Sequence, residues 1–213
     1  MGAIYDKTWG RGFAAVYDRV LKASEEAGLG DMRRELLSSA SGDVIDIGAG
    51  TGVNLDVFPA SVTRLVMAEP FPPMAERLRR RAAASGRNVE VAEASAEALP
   101  FPDDSFDCAV FTLVLCTVDD PDLALAEAAR VLRPGGRMLF LEHVRSENPR
   151  LARWQDRLHG AWHFAAVGCH TNRDTAASIR RSVLQVETLD DGEFPKSLPI
   201  TRPLIRGSAR LPA

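Results

Sequence analysis

The stretch V-I-D-I-G-A-G-T-G at residues 44–52 constrains this chain more than any other, because an apolar strand runs straight into a turn with glycine at alternate positions. Gly48, Gly50 and Gly52 can adopt backbone conformations closed to residues with a Cβ, so bare backbone can approach a ligand at the strand's carboxyl end. The pattern predicts a helix directly after the turn, with free N–H groups at its start. Glu69 ends the next apolar run, residues 64–68, and stands 21 positions after Gly48. An α/β unit places a carboxylate at about that spacing to accept hydrogen bonds from both hydroxyls of a ribose.

Strand candidates alternate with helices along the rest of the chain, which makes the fold class α/β. The strands are expected at residues 44–47, 64–68, 89–92, 107–113 and 137–142, with closing strands at 184–189 and 204–211. Several are continuous apolar runs, as expected of a parallel sheet covered on both faces. Helix faces interrupted at residues 28–30 precede the first strand. Asp120-Pro121 reads as an N-cap and first helical residue, and Pro134-Gly135-Gly136 as the stop before the fifth strand. A capping box at Thr171-x-x-Asp174 is expected to open a helix reaching residue 183. Pro195, Pro199 and Pro203 make the connection between the closing strands irregular.

With 213 residues, 46% of them hydrophobic, the chain suits one well-buried domain: N-terminal helices over 1–40, and over 145–182 a segment placed to cover a substrate. Twenty-six Lys plus Arg against 29 Asp plus Glu give a net charge of −3, which offers no footprint for nucleic-acid phosphates. The arginines of 77–81 read as a solvated helix face. The longest near-apolar run, 108–118, is too short to span a bilayer, for which roughly 20 residues are needed. Residues 1–11 lack the apolar core of a signal peptide. Cys108, Cys116 and Cys169 show no even pairing and no C-x-x-C spacing. They suit a reducing cytoplasm, with no metal expected.

The glycine turn is joined by Glu69, by S-A-E-A-L-P-F at 95–101 and by L-R-P-G-G at 132–136. In these motifs the chain resembles the class I S-adenosylmethionine-dependent methyltransferases of the type 11 domain. A dinucleotide fingerprint would need glycine at position 53, which is Val53, and the glycine one place earlier at Gly52 favours S-adenosylmethionine over NAD. The resemblance implies a Rossmann-like fold, a seven-stranded and mostly parallel sheet with helices on both faces. It implies S-adenosyl-L-methionine as cofactor and S-adenosyl-L-homocysteine as product. Asp46, Gly48, Ala49, Gly50, Thr51 and Gly52 would then hold the methionine portion and Glu69 the ribose. Pro70 and Met74 would line the adenine, Ser95, Ala96 and Glu97 would read its edge, and Thr112 and Leu113 would complete the site. Tyr17, and less so Tyr5, would close an aromatic face over the sulfonium.

More narrowly, T-L-V-L-C-T-V at 112–118, L-E-H-V at 141–144, Trp154-Gln155 and G-C-x-T-x-R-D at 168–174 are similar to the methyltransferase-like alkyl thiol S-methyltransferases of animals. The membrane-associating segment of those relatives is not matched here, so membrane attachment is not carried over. The implied acceptor is a small, largely apolar molecule methylated at a thiol sulfur. A thiol, with a reference pKa near 8.5, needs little help to ionise, whereas an alcohol would require a strong base. His143 is a candidate general base, an acceptor-orienting group or a hydrogen-bonded structural histidine. His163, His170 and Cys169 fall in the expected cover, Cys116 is expected to pack, and Trp154, Leu158 and Trp162 form a stripe expected to face the core. The alternatives are N- or O-methylation of a phospholipid or other small molecule, and a cofactor-binding protein that does not methylate, such as a cyclase.

Overall fold

A computed structural model of the chain describes residues 11–213. Helices α1 (Arg11–Ser24) and α2 (Gly30–Leu37) are joined by one wide helical turn at Glu25–Leu29. The expected break is made at Gly28, whose φ of +127° is open to glycine and to few other residues. The strands are β1 (Gly42–Ile47), β2 (Val62–Ala68), β3 (Val89–Ala92), β4 (Phe106–Thr112), β5 (Leu132–His143), β6 (Gln185–Glu193) and β7 (Pro203–Arg210). They form one sheet in the order β3-β2-β1-β4-β5-β7-β6. The first five run parallel, and β7 lies antiparallel between β5 and β6. Helices α3 (Pro72–Ser85), α4 (Pro121–Val131), α5 (Pro149–Ala165) and α6 (Thr175–Arg181) complete the layers.

Successive side chains of a strand point to opposite faces, so a sheet covered on both sides needs apolar residues at every position. Val44, Leu65, Met67, Val110 and Leu139 accordingly pack with Leu37, Leu55 and Leu78 on one face. Ile45, Ile47, Val66, Phe111 and Phe140 pack with Leu125, Ala128 and Ile179 on the other. The arginines of α3 lie on its solvated side, where Arg79, Arg80 and Arg81 pair with Glu93, Glu76 and Asp56. Among the described residues no helix is long and apolar enough to cross a membrane.

Several segments differ from the sequence expectation. No helix follows the glycine turn: residues 51–57 form consecutive turns, with Leu55 N–H donating to Gly52 O (3.1 Å) and Val57 N–H to Asn54 O (3.0 Å). Gly52 has φ +86°, which an α-helix cannot contain. Strand β5 begins before Pro134-Gly135-Gly136 rather than after it. Leu132 pairs with Phe106 and Arg137 with Cys108, so residues 133–136 loop out of the ladder, where a proline without an N–H does no harm. Strand β4 ends at Thr112, and Leu113 leaves it at φ +61°. Thr171 caps no helix: its buried hydroxyl donates to Gln155 O (3.3 Å), and Asp174 is the cap of α6, accepting from Ala177 N–H (2.9 Å). Asp120 caps α4 as expected, accepting from Asp122 and Leu123 N–H.

Candidate active site

Beside β1 the chain order reverses, with β2 and β3 on one side and β4 and β5 on the other, and ligands of parallel sheets sit at the strand carboxyl ends at such a point. A cleft of about 670 Å³ opens there. Its floor is Gly48 and Gly50 after β1, Glu69 and Pro70 after β2, Ser95, Ala96 and Glu97 after β3, Leu113 after β4, and His143 at the end of β5. Met74 of α3 and Tyr17 of α1 face the same space, while Tyr5 lies outside the described residues. The remaining wall includes Phe13, Val20 and Leu21 of α1, where the apolar spacing marked a helix face and not a cleft, and Phe194, Lys196 and Leu198 between β6 and β7.

The glycines of the turn divide by what a side chain would meet. A Cβ on Gly48 would come within 2.5 Å of Val114 Cγ1, and one on Gly52 within 2.7 Å of Leu78 Cδ1. At Gly50, with φ +59°, Met74 Sδ alone among the described residues stands within 4 Å, at 3.7 Å. Packing therefore demands glycine at Gly48 and Gly52, whereas the space above Gly50 is an open part of the cleft. Glu69 Oε2 accepts from Gly50 N–H (2.8 Å) and Oε1 from Phe71 N–H (2.9 Å), so each oxygen keeps a lone pair for another donor. Burial raises its pKa, against the pull of those N–H groups. This cradle fits a ribosyl sulfonium cofactor: bare backbone at Gly50, a buried carboxylate for vicinal hydroxyls, and Met74 and Pro70 for an apolar ring.

Asp46, Ala49, Thr51, Gly52 and Thr112 are not on the cleft wall. Both oxygens of Asp46, which is fully buried, accept from Asn54 Nδ2 at 3.0 Å. Asn54 Nδ2 also donates to Thr112 Oγ1 (2.9 Å), and Asn54 Oδ1 accepts from Arg33 Nη1 (3.0 Å), which Glu25 pairs in turn. Burial pushes the Asp46 carboxyl up to about 7, with Asn54 and Arg33 opposing. The Thr51 hydroxyl is engaged by Asp18. Ser95 donates to Glu97, whose other oxygen accepts from Asp119 N–H (2.8 Å) ahead of α4.

Long-range contacts dominate the other end of the cleft. Glu142, fully buried at the end of β5, accepts from Val114 N–H (2.8 Å) and Leu115 N–H (3.1 Å), fixing the turn that Leu113 starts. Arg173 donates to Leu115 O and Val118 O at 2.7 Å each, clamping the same turn from the far side. Cys116 is thereby brought against Cys169 and His143, all three buried and all on the cleft wall. His143 Nε2 lies 3.0 Å from Cys169 Sγ, and Trp162 Nε1–H donates to the same sulfur at 3.2 Å. The Cys169 hydrogen bond, with His143, draws the Cys116 thiol well below its usual range despite burial, and the same bond, with burial, pushes that of Cys169 up.

Cys116 is thus more than the packing residue the sequence suggested, since its partners lie 27 and 53 positions away. The aromatic stripe is also corrected. Trp154 is 55% and Leu158 39% exposed, and only Trp162 turns inward, to the cleft wall rather than the core. A helix end overhanging a cleft has no sheet beneath part of its apolar face. His163 and His170 gather with His159 in a separate, half-buried cluster, ring centroids 4.5–5.5 Å apart.

Residues 45–140 match the family model of a methyltransferase domain. The chain is 29% identical over 202 residues to the human thiol S-methyltransferase TMT1A, covering 92% of this chain and 82% of that protein. With the Rattus norvegicus thiol S-methyltransferase TMT1B it shares 31% identity over 78% of this chain and 69% of the relative. The ubiquinone/menaquinone biosynthesis C-methyltransferase UbiE of Hahella chejuensis is 41% identical, over 55% of this chain and 49% of its own length. Among solved structures, a geranyl diphosphate methyltransferase in complex with S-adenosylmethionine superposes with a TM-score of 0.69 at 16% identity, covering 87% of this chain and 85% of that one. A sheet in this strand order, with sequence kinship running through most of the chain, leaves one assignment: the protein belongs to the class I S-adenosylmethionine-dependent methyltransferases, with S-adenosyl-L-methionine as its methyl donor.

Proposed function

We propose that the protein methylates a small, largely apolar thiol at sulfur, working as one methyltransferase domain in which α5 and the loop after it cover the acceptor. S-adenosyl-L-methionine, when bound, supplies an electrophilic methyl group on a sulfonium. Gly48 and Gly50 admit its methionine portion, Glu69 accepts from the ribose hydroxyls, and Pro70 and Met74 flank the adenine. Ser95, Ala96 and Glu97 stand at the adenine edge, with Leu113 beneath and Tyr17 above the sulfonium. Asp46, Ala49, Thr51, Gly52 and Thr112 shape the turn and the strand end from behind.

The observation that carries the sulfur reading is the far end of the cleft, where Cys116, His143 and Cys169 form a soft polar group in a cleft whose lining includes the apolar Val114, Trp162 and Phe194. Such a wall takes an apolar body and presents a polarisable spot to its reacting atom. No covalent nucleophile is required: holding acceptor and methyl in line and excluding water can contribute several kcal/mol, on the order of what in-line transfer needs. The thiol S-methyltransferases support the same acceptor, and their likeness covers more of this chain than that of the carbon-methylating UbiE. That second likeness keeps an apolar quinol as the alternative acceptor.

The test is transfer of label from methyl-labelled cofactor to a panel of alkyl and aryl thiols, phenols, amines, phospholipids and quinols. Thioether formation with lipophilic thiols is expected. Label on a quinol carbon or an amine, with every thiol unlabelled, would overturn the sulfur assignment and leave the family assignment intact.

A further inference from the structure

The cluster at the far end of the cleft has the make-up of a metal site. Two cysteines and a histidine, each buried, hold their ligand atoms within 4.8 Å of one another. They come from three segments locked together by backbone bonds. His170 N–H donates to Cys116 O at 2.7 Å, so the two cysteine-bearing loops are tied beside the sulfurs, and Gly168 N–H on His163 O (2.9 Å) fixes the second loop to α5. Trp162 Nε1–H donates to Cys169 Sγ, and Thr117 Oγ1, 3.5 Å from Cys116 Sγ, is placed to donate to a thiolate there, as groups that support metal-bound sulfurs do. His143 turns Nε2 to the sulfurs, 3.0 Å from Cys169 Sγ, while its buried Nδ1 has no partner among the described residues.

We propose that Cys116, His143 and Cys169 form a three-ligand site for a thiophilic divalent metal, zinc first, whose open fourth position faces the cleft and takes the acceptor's sulfur. Two sulfurs and an imidazole select zinc over magnesium or calcium, and three protein ligands with one position open are the arrangement of a catalytic rather than a structural site. Tetrahedral bonds of about 2.0–2.3 Å place ligand atoms roughly 3.5 Å apart, within small side-chain rotations of the distances found here. The role of the fourth position rests on the thiol reading above. On coordination the acceptor's S–H proton passes to water as its sulfur displaces a metal-bound water. The sulfur's electron pair then forms the new S–CH3 bond while the donor's S–CH3 bond breaks, that pair staying on the departing sulfur. The thioether formed is a poor ligand and leaves.

The test uses the full chain, treated with chelator and titrated with Co²⁺ and Zn²⁺ alone, before any activity is measured. One equivalent of Co²⁺ is expected to give the thiolate charge-transfer absorption and intense visible bands of a tetrahedral S₂N site, displaced by Zn²⁺. Cys116→Ser, Cys169→Ser and His143→Ala should each abolish this spectrum, and Trp162→Phe should weaken the metal by roughly 10–100-fold. His159→Ala should leave it unchanged, since the half-exposed imidazole cluster is a separate group. Absence of the charge-transfer band in the wild-type chain, or a spectrum lost with His159 and kept without Cys169, would overturn the site. A lipophilic thiol should shift the cobalt bands. Bands unmoved by thiols that the enzyme nevertheless methylates would overturn the open-position role. Label transfer to thiols by a chain that binds no metal would sink the metal site while leaving the acceptor reading in place.

Discussion

At the scale of single residues, the glycines of the cradle separate function from packing. Gly50→Ala must hold φ near +59°, at a cost of roughly 1–2 kcal/mol, but meets no clash, so the protein should fold. Its methyl enters the cleft beside Glu69, and the rise in melting temperature on adding S-adenosyl-L-homocysteine should disappear. Gly48→Ala and Gly52→Ala push into Val114 and Leu78 and should lose a further 1–3 kcal/mol or so of stability. A Gly50→Ala protein stabilised normally by the product would remove the residue from the site. Glu69→Ala should weaken the product by roughly 1.5–3 kcal/mol in calorimetry. Because burial raises the Glu69 pKa, affinity should fall on acidification through that raised value, as protonation converts one acceptor oxygen to a donor. Glu69→Gln should lose that dependence, and an unchanged pH profile would count against the carboxylate's role. Gly50 and Glu69 were both legible in the sequence, because a glycine turn and a strand-end carboxylate are local patterns. Asn54 and Arg33 were not, since a buried network shows itself only when the chain is folded.

At the scale of elements, α5 carries the proposed acceptor side of the cleft, and Gln155 ties the helix to the sheet. Gln155 is fully buried: its Nε2 donates to Val144 O and Ile200 O at 3.0 Å each, and its Oε1 accepts from Ser146 N–H at 2.8 Å. Gln155→Ala strands three backbone groups, each costing roughly 1–3 kcal/mol when left unsatisfied. Amide exchange in residues 149–165 should accelerate far more than in β1 or β4, and the melting temperature should drop. Uniform loss of protection across the sheet would show that α5 unfolds only with the whole molecule. The existence of this helix was readable from its periodicity, whereas its inward face was not. Trp154 and Leu158 follow the stripe, yet only Trp162 overhangs the cleft, because the stripe describes a helix and not what lies beneath it. The turns at 51–57 show the same limit: the pattern after Gly52 suited a helix, and the positive φ of that glycine bars a helix from running through it.

At the scale of the whole molecule, apolar runs located the parallel strands, since strands covered on both faces must carry them, while exposed β6 carries no such run. The far wall of the cleft escaped for the opposite reason: Cys116, His143 and Cys169 sit on segments far apart in sequence, joined by sheet order, by the clamps of Glu142 and Arg173 and by the backbone bond from His170 to Cys116. A second long-range device joins the N-terminal helices to the sheet centre, running from Glu25 through Arg33 and Asn54 to Asp46 of β1 and Thr112 of β4. Its titration can be read as stability. The Asp46 carboxyl, ordinarily near 3.8, is pushed up to about 7 in the folded chain. Between those values the folded state holds a proton that the unfolded state has released. Its contribution is therefore fully present below about pH 4 and is lost as pH rises through 7, spanning roughly 4 kcal/mol at most. Surface carboxylates held low by arginine, Glu127 and Glu187 among them, act with the opposite sign, so the wild-type melting curve alone mixes the two. The difference between Asp46→Asn and wild type isolates the buried group. The variant cannot ionise, so its melting temperature relative to wild type should climb from pH 5 toward pH 7 and level off above it. A difference that stays flat across that range would mean that Asp46 is ionised throughout in the folded chain, and that the network from Arg33 to Thr112 holds it as a charge.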